Sequence, residues 1–405
     1  MFVKNKLIIF SIISLVNFGL KAQQVTVLGE GAWGTAIASV LANNGYTVKL
    51  WCNDPGVVES ITKESVNRRY LPGIVLPKNI NPTISLEEAL ADVEWIFNVS
   101  PVKYLRSVLQ KAQPFLKTDQ RCVMLSKGIE QGTLMLPTQI IDDVFGMNVD
   151  KAVCVGPSFA DEVAKKRFTA VVAASDKQEY TQQVKSMLEN DYFKVFESSD
   201  MIGAQVGSAL KNVIALGIGI LDGAGYGENA QAIVLAKGLR DMITCAQALG
   251  GQRNTMLGLA GVGDLILTCK GGLSRNVMVG RYFGQGKSLE KVIEQEGVTP
   301  EGVNTAQSIY ELAQKHSINL PVCAGVYDIV FKGKSVDQFL TDLTQGIPLE
   351  KVFKEKGAPS EMVDTIQLMY ELAQEFNISF AVCEQMYDIV FKGTSGDQFL
   401  ADLPK

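Results

Sequence analysis

A short apolar stretch at residues 25–28 (Val-Thr-Val-Leu) runs directly into Gly29, Gly31 and Gly34, spaced Gly-x-Gly-x-x-Gly. Residues 35–44 continue as a helical pattern with apolar Ile37, Ala38, Val40 and Leu41, and Gly45 ends it. A second strand pattern, Thr47–Trp51, completes a strand–helix–strand unit of about 30 residues. Three glycines alone are a common pattern. Between a strand and a helix each meets a separate physical need, namely the tight turn, the approach of backbone to a diphosphate, and close packing of helix on strand. The helix N-terminus then turns free N–H groups towards that diphosphate. The unit predicts a dinucleotide cleft with Gly29, Gly31, Ala32 and Gly34 at its turn.

Further strand patterns follow at 94–99, ending at Ser100-Pro101, and at 121–125, ending at Ser126-Lys127, with two more at Lys151–Val155 and 169–173. Strands alternating with helices imply a parallel sheet covered on both faces, an α/β Rossmann-type domain over residues 23–200. From about residue 200 the pattern changes to long helical segments with Gly-rich joints, an all-α domain over 201–345. The chain's 405 residues exceed the roughly 250–300 at which one core stops growing, which also calls for two domains. The tail, 346–405, is a repeat: 31 of 56 aligned pairs between 288–343 and 348–403 are identical at an offset of 60. Two copies are too few for a solenoid, so a tandem duplication of one helical segment is expected. From the sequence, either copy could fill the same place on the helical domain.

Residues 1–22 lie outside this pattern. Lys4 and Lys6 precede an apolar run at 7–20, followed by Lys21 and Ala22. That run suits a signal-peptide core and is shorter than the ~20 residues of a spanning helix. A cleaved leader, a loose membrane anchor and a start of translation placed too early all remain open.

Composition narrows the chemistry. The single His316 removes Ser-His-Asp triads, Cys-His pairs and His-rich metal sites, so no metal is expected. Seven Cys without CxxC spacing read as reduced, mostly buried thiols. A net charge of -5 without a basic run gives no footprint for nucleic acid. Acid–base work must then come from Lys, Asp, Glu or Tyr.

Lys211 and Asn212 fall in 207–214 (Gly-Ser-Ala-Leu-Lys-Asn-Val-Ile), read as the head of an apolar helix. Desolvation there would lower the Lys pKa and suit proton exchange with an alcohol; the alternative is a surface Lys snorkelling outwards. Residues 258–264 place Asp264 in a glycine-dense turn, with Thr268 four residues on. Ser274, Arg275 and Asn276 combine a guanidinium with an amide able to fork onto phosphate; the alternative is a capping Ser274 and a solvated Arg275. With Lys127 at a strand end and Gly156 and Ser158 in the first domain, the set reads as a site for a small anion. At the tip of the second strand, Cys52 stands where an Asp or Glu would accept from a ribose 2′-OH, and Asn53 follows. Asp54 reaches the ribose only if the register shifts by one or two residues, so the tip leans towards NADPH over NADH.

Taken in order, seven segments resemble the bacterial-type NAD(P)-dependent glycerol-3-phosphate dehydrogenase family. They are 29–36, 71–73 (Leu-Pro-Gly), 126–129, 156–160, 209–213, 258–265 and 274–276, and the likeness covers about 24–345. The resemblance implies a Rossmann domain joined to a helical domain like that of 6-phosphogluconate dehydrogenase. It implies interconversion of dihydroxyacetone phosphate and sn-glycerol 3-phosphate with NADH or NADPH, feeding glycerophospholipid synthesis. Lys211 would carry the proton, Lys127 would contact cofactor and substrate, and Asn212, Asp264 and Thr268 would complete the polar site. Arg275 and Asn276 would hold the phosphate, with further substrate contacts from Gly156, Ser158 and Ser274. Trp33, Asn53, Ala160, Arg275 and Glu301, the last from an expected Glu301-Gly302 turn, would meet the cofactor.

The chain departs from the family at Asn53, where Arg or His is common, at Ala32, where Ser is frequent, and in a turn before Glu301 that is one residue longer. In the second copy Met362 replaces Gly302 and lacks its φ freedom, which assigns the cofactor contact to the first. Two other functions stand beside the main one: a related dehydrogenase of another small hydroxy acid or sugar, and a non-catalytic nucleotide-binding sensor. A cytoplasmic homodimer is the expected form, membrane-associated if residues 1–22 are an anchor.

Overall fold

The structure is a computed structural model and describes residues 23–146, 149–297 and 299–344. The leader 1–22 and residues 345–405, including the whole second repeat copy and Cys383, lie outside the described residues. Two compact units divide the chain, 1–339 and 340–405; of the second, only the last turn of the Val336–Thr344 helix is described.

Strand β1 (Gln24–Leu28) is buried almost throughout, as a strand between two helical layers must be. It lies in an eight-stranded sheet with β2 (Thr47–Trp51), β3 (Ile80–Thr83), β4 (Trp95–Asn98), β5 (Arg121–Met124), β6 (Lys151–Val155), β7 (Thr169–Ala174) and β8 (Phe193–Ser198). Their spatial order is β3-β2-β1-β4-β5-β6-β7-β8. Alternate residues feed two cores: Val25, Val27, Phe97 and Val123 on one face, Ile96, Met124 and Val153 on the other. The order reverses at β1, which pairs with both β2 and β4, and a ligand crevice opens beyond the carboxyl ends of strands at such a point.

The sheet departs from the sequence expectation in two ways. It is parallel only from β1 to β6; β7 runs antiparallel to β6, and β8 parallel to β7. The helix joining β6 to β7, Ala160–Ala164, spans about 7.5 Å, whereas a five-residue strand spans about 17 Å. It cannot carry the chain back for a parallel crossover, so the strand returns alongside. In addition, β3 and β8, the two edges, escape the apolar pattern. β3 has four residues and contains Pro82, tolerable only on an edge, and β8 leaves Phe196 and Glu197 exposed.

Helices follow from Met201. The Met201–Gly223 helix is buried at every residue from 203 to 221, and it is long and apolar enough to cross a membrane while lying wholly inside the protein. Asp200 starts it: its carboxylate accepts from Gly203 N at 2.8 Å and also from Gln252 N and Thr255 Oγ1. Lys211 therefore lies at mid-helix and not at its head, because the cap, Asp200, stands eleven residues before it.

The Arg275–Gly284 helix crosses the Met201 helix at two glycines in near contact. A Cβ on Gly280 would sit 2.8 Å from Gly219 Cα, and one on Gly219 would sit 2.9 Å from Gly280 Cα. The first repeat copy supplies the helices Leu289–Glu296, Glu301–His316, Pro321–Lys332 and Val336–Thr344. Asp241 fastens the third of these, accepting from Val322 N at 2.9 Å and Cys323 N at 3.0 Å. Gly302 has an ordinary φ, so its need is space: a Cβ there would lie 2.5 Å from Asn276 Oδ1 and 3.1 Å from Asn212 O. Gly325 abuts the Phe339 ring in the same way. The second copy carries Met362 and Gln385 at these positions, so Asn276 and Phe339 would have to shift for it to take the place the first copy fills. His316 ends its helix exposed to solvent, and the six described cysteines are buried and unpaired. Burial pushes the thiols of Cys52, Cys122, Cys154, Cys245 and Cys269 up to about 12, which leaves them inert.

Gly280→Ala is expected to force the two helices apart and cost ~1–3 kcal/mol. Thermal or urea melting checks this, and an unchanged midpoint would contradict the glycine-to-glycine crossing.

Candidate active site

The mid-helix position of Lys211 aims its side chain at the chain segment after the Arg253–Leu257 helix. There, residues Leu259–Gly263 form a single π-helical turn, where the sequence suggested an irregular glycine turn. Such turns frequently mark functional sites. The π-turn delivers Asp264 as the first residue of the Asp264–Lys270 helix, with its carboxylate only 1% exposed. Lys211 Nζ lies 2.5 Å from Asp264 Oδ1, and Lys127 Nζ lies 3.4 Å from Oδ2. One carboxylate thus joins a helix, a π-turn and the loop that follows β5. Thr268 Oγ1 donates to the Asp264 carbonyl at 2.6 Å, and Asn212 is buried beside Lys211 in sequence.

Burial pushes the Lys211 ammonium down to about 7; Asp264 opposes this and the neighbouring Lys127 charge adds to it. The group can therefore hold or release a proton near neutral pH.

Lys127 also faces a cleft of about 860 Å³ at the carboxyl ends of β1 and β4. Gly29, Gly31, Ala32, Trp33, Gly34, Asn53, Lys127, Ser158, Arg275 and Glu301 all line it. The sequence reading omitted Tyr70 and Ser100, which line it too. Tyr70 directly precedes the 71–73 segment, and Ser100 follows the β4 tip, so both had a signal of position. Ala160 does not line the cleft; it opens a short helix and packs against the core. Gly156 is buried and accepts from Ser158 Oγ at 2.9 Å through its carbonyl.

Other residues take local roles. Ser274 caps its helix, accepting from Val277 N at 3.4 Å. Arg275 projects outwards with its guanidinium 3.5 Å from Glu296. Asn276 Oδ1 accepts from Gly302 N at 3.1 Å, tying the phosphate-site candidate to the first repeat copy. Glu301 begins a helix instead of sitting in a turn, because Pro300 starts that helix. At the β2 tip Cys52 is wholly buried and Asn53 faces the cleft. Asp54 accepts from Gly56 N at 2.8 Å as a helix cap and pairs with Arg69.

The cleft suits a dinucleotide. Gly29 adopts φ +123°, as the first turn requires, and a Cβ on Gly31 would meet nothing within 4 Å, leaving open space above the backbone. Gly31 caps the Ala32–Asn43 helix without a side chain, so its first N–H groups stay free for an anion. Trp33 Nε1 and Ser100 Oγ are buried at the cleft without partners. Among the described residues no group of three or more His, Cys, Asp or Glu could hold a metal ion.

Family models extend the resemblance. The NAD-dependent glycerol-3-phosphate dehydrogenase N-terminus matches residues 24–181, and the C-terminus of the same family matches 200–341. Glycerol-3-phosphate dehydrogenase [NAD(P)+] of Bacillus cytotoxicus is 42% identical over 315 residues, 77% of this chain and 92% of the relative. The crystal structure of glycerol-3-phosphate dehydrogenase from Coxiella burnetii is 33% identical with a TM-score of 0.76, over 80% of this chain and 99% of that one. The enzyme of Saccharomyces cerevisiae is 28% identical with a TM-score of 0.71, over the same shares. Neither a different hydroxy-acid substrate nor a non-catalytic sensor is favoured by these likenesses. The chain, Rossmann sheet and helical half together, belongs to the NAD-dependent glycerol-3-phosphate dehydrogenase family.

Proposed function

We propose that Lys211 is the proton carrier in the interconversion of dihydroxyacetone phosphate and sn-glycerol 3-phosphate. The observation that carries this is the buried Lys211–Asp264–Lys127 chain beside the dinucleotide cleft. A nicotinamide dinucleotide held in the cleft by the Gly29–Gly34 turn would supply the hydride for reduction and accept it in oxidation. Lys211 Nζ gives its proton to the carbonyl oxygen, forming the secondary alcohol, and takes the hydroxyl proton in reverse. Asp264 holds Nζ in line, and Lys127 steadies the developing alkoxide and contacts the cofactor. Asn212 and Thr268 complete the polar wall. Arg275 and Asn276 hold the substrate phosphate, with Gly156, Ser158 and Ser274 adding contacts. Gly29, Gly31, Ala32, Trp33, Gly34, Asn53, Arg275 and Glu301 serve the cofactor, while Ala160 supports them from the core.

The domain division at about residues 200 and 345 belongs to the same reading, as does a cytoplasmic site, where phosphorylated trioses, nicotinamide pools and unpaired cysteines coexist. A homodimer is supported by the exposed Phe168, which precedes β7, and Phe196 of β8, on one surface. Light scattering should give twice the 44.0 kDa chain mass, and Phe168→Ser with Phe196→Ser should halve it; an unaltered mass would exclude this face.

NADPH is the preferred cofactor in this reading. Asp54, the carboxylate that follows Asn53 in the chain, is engaged by Gly56 N and Arg69, so an Arg guanidinium is held one residue beyond the cleft-lining Asn53. Arg69→Ala should lower the NADPH-to-NADH ratio of kcat/KM by about tenfold or more, from loss of a charged hydrogen bond. An unchanged ratio would remove Arg69 from cofactor choice.

Lys211→Ala should lower kcat by about 10²–10⁴ while leaving NADPH binding intact. Reduction should weaken and oxidation strengthen as pH rises through about 7, where Lys211 loses its proton. Nucleotide binding by wild-type protein without turnover of dihydroxyacetone phosphate would overturn the assignment.

A further inference from the structure

Trp33 Nε1, Asn98 Nδ2 and Ser100 Oγ are each buried without a hydrogen-bond partner, and Asn98 and Ser100 are 1% and 3% exposed. Both stand at the carboxyl end of β4, beside the point where the strand order reverses. The orientation of the Asn98 amide is fixed by its neighbours. Ser100 N can only donate, at 3.0 Å, so the atom facing it is Oδ1, with Ser126 Oγ 3.5 Å away on the same oxygen. The NH₂ group is therefore left turned away from these partners. Ser126 Oγ donates in turn to the Ser100 carbonyl at 2.6 Å, which holds the Ser100 backbone and leaves its hydroxyl unused.

We propose that Ser100 Oγ and Asn98 Nδ2 hold the ribose on the nicotinamide side of the dinucleotide. This rests on the dinucleotide reading of the cleft and deepens it. On one side the Gly29 turn touches this segment: a Cβ at Gly29 would lie 3.4 Å from Val99 C and 3.5 Å from Ser100 N. On the other side Ser126 leads directly into Lys127, which reaches Asp264 and the proton carrier. Ser100 thus lies between the turn that receives the diphosphate and the group that reaches the reacting carbon. The part of the cofactor between those two points is a ribose with two hydroxyls. Its oxygens accept from an amide and exchange donor and acceptor roles with a serine hydroxyl. An unpaired buried donor burdens the free protein, and a ligand that completes it regains that cost on binding. Both residues are positioning residues: neither reaches Lys211 or its carboxylate partner.

The test uses full-length Ser100→Ala and Asn98→Val proteins and three probes, NADPH, ADP-ribose and ADP. Both variants should bind NADPH and ADP-ribose about fivefold more weakly, the loss of one hydrogen bond, and bind ADP as the wild type does. Without nucleotide, the Ser100→Ala midpoint should equal or exceed the wild-type value, since that change removes only an unsatisfied polar atom, whereas Asn98→Val also removes the oxygen that accepts from Ser100 N. Equal weakening for ADP, or no weakening for ADP-ribose, would overturn the assignment, as would a lower midpoint of Ser100→Ala without nucleotide. A wild-type protein that binds none of the three would overturn the dinucleotide reading along with it.

Discussion

A carboxylate with almost no access to water, set between two ammonium groups, is the fixed point of this molecule. Lys211 and Lys127 offset the burial of the Asp264 carboxylate, because a lone buried charge costs far more than any single contact returns. Each of the three comes from a different part of the chain: a buried helix, a π-turn and the loop after a sheet strand. Their mutual attraction therefore ties the sheet to the helices at the place where cofactor and substrate have to meet. Two cations and one anion leave the cluster positive when Lys211 is protonated. That excess suits a phosphorylated substrate and an oxygen gaining negative charge.

The helical half is built to hold that cluster without slack. Glycines let the Arg275 helix approach the Met201 helix until backbone meets backbone, and Gly302 brings the Glu301 helix against Asn276 and Asn212. Side chains at these points would separate the helices and shift Arg275 and Asn276 away from Lys211. The glycine richness of the second half of the chain is thus a packing requirement. Met362 and Gln385 of the second copy stand where the first has Gly302 and Gly325, so Asn276 and Phe339 would have to move for the second copy to take the place of the first.

Much of this was legible in the sequence where the determinant was local. The β1–glycine turn–helix unit could be read because its strand, turn and helix are contiguous, and the buried helix around Lys211 because its apolar run is unbroken. The edge strands were not, since β3 and β8 need only one neighbour and carry Pro82 or exposed residues. Neither was the pairing of Lys211 with Asp264, 53 residues on, nor of Lys127 with Asp264, 137 residues on. No periodicity encodes such pairings; the family resemblance brought those residues together before the geometry did. Asp54 shows the converse. Its identity suggested a ribose ligand, yet its carboxylate is taken by a helix cap and by Arg69, a commitment no local pattern reveals.

The single His frames the chemical problem that the fold solves. His is the side chain whose ordinary pKa lies nearest neutrality, and His316 stands exposed at a helix end, far along the chain from any catalytic candidate. A chain without a usable His has to make its neutral-pH proton carrier from another group. Lysine in water holds its proton too firmly, but its pKa falls readily when burial penalises the charge. Burying Lys211 fully would by itself strip it of its proton, and pairing it with a carboxylate alone would fix the proton in place. Burial and the Lys127 charge press one way and Asp264 presses the other, and the balance falls near neutral. A group balanced there can give a proton to a ketone and take one from an alcohol. The depth at which one lysine is buried thus sets whether it can serve proton transfer in both directions near neutral pH.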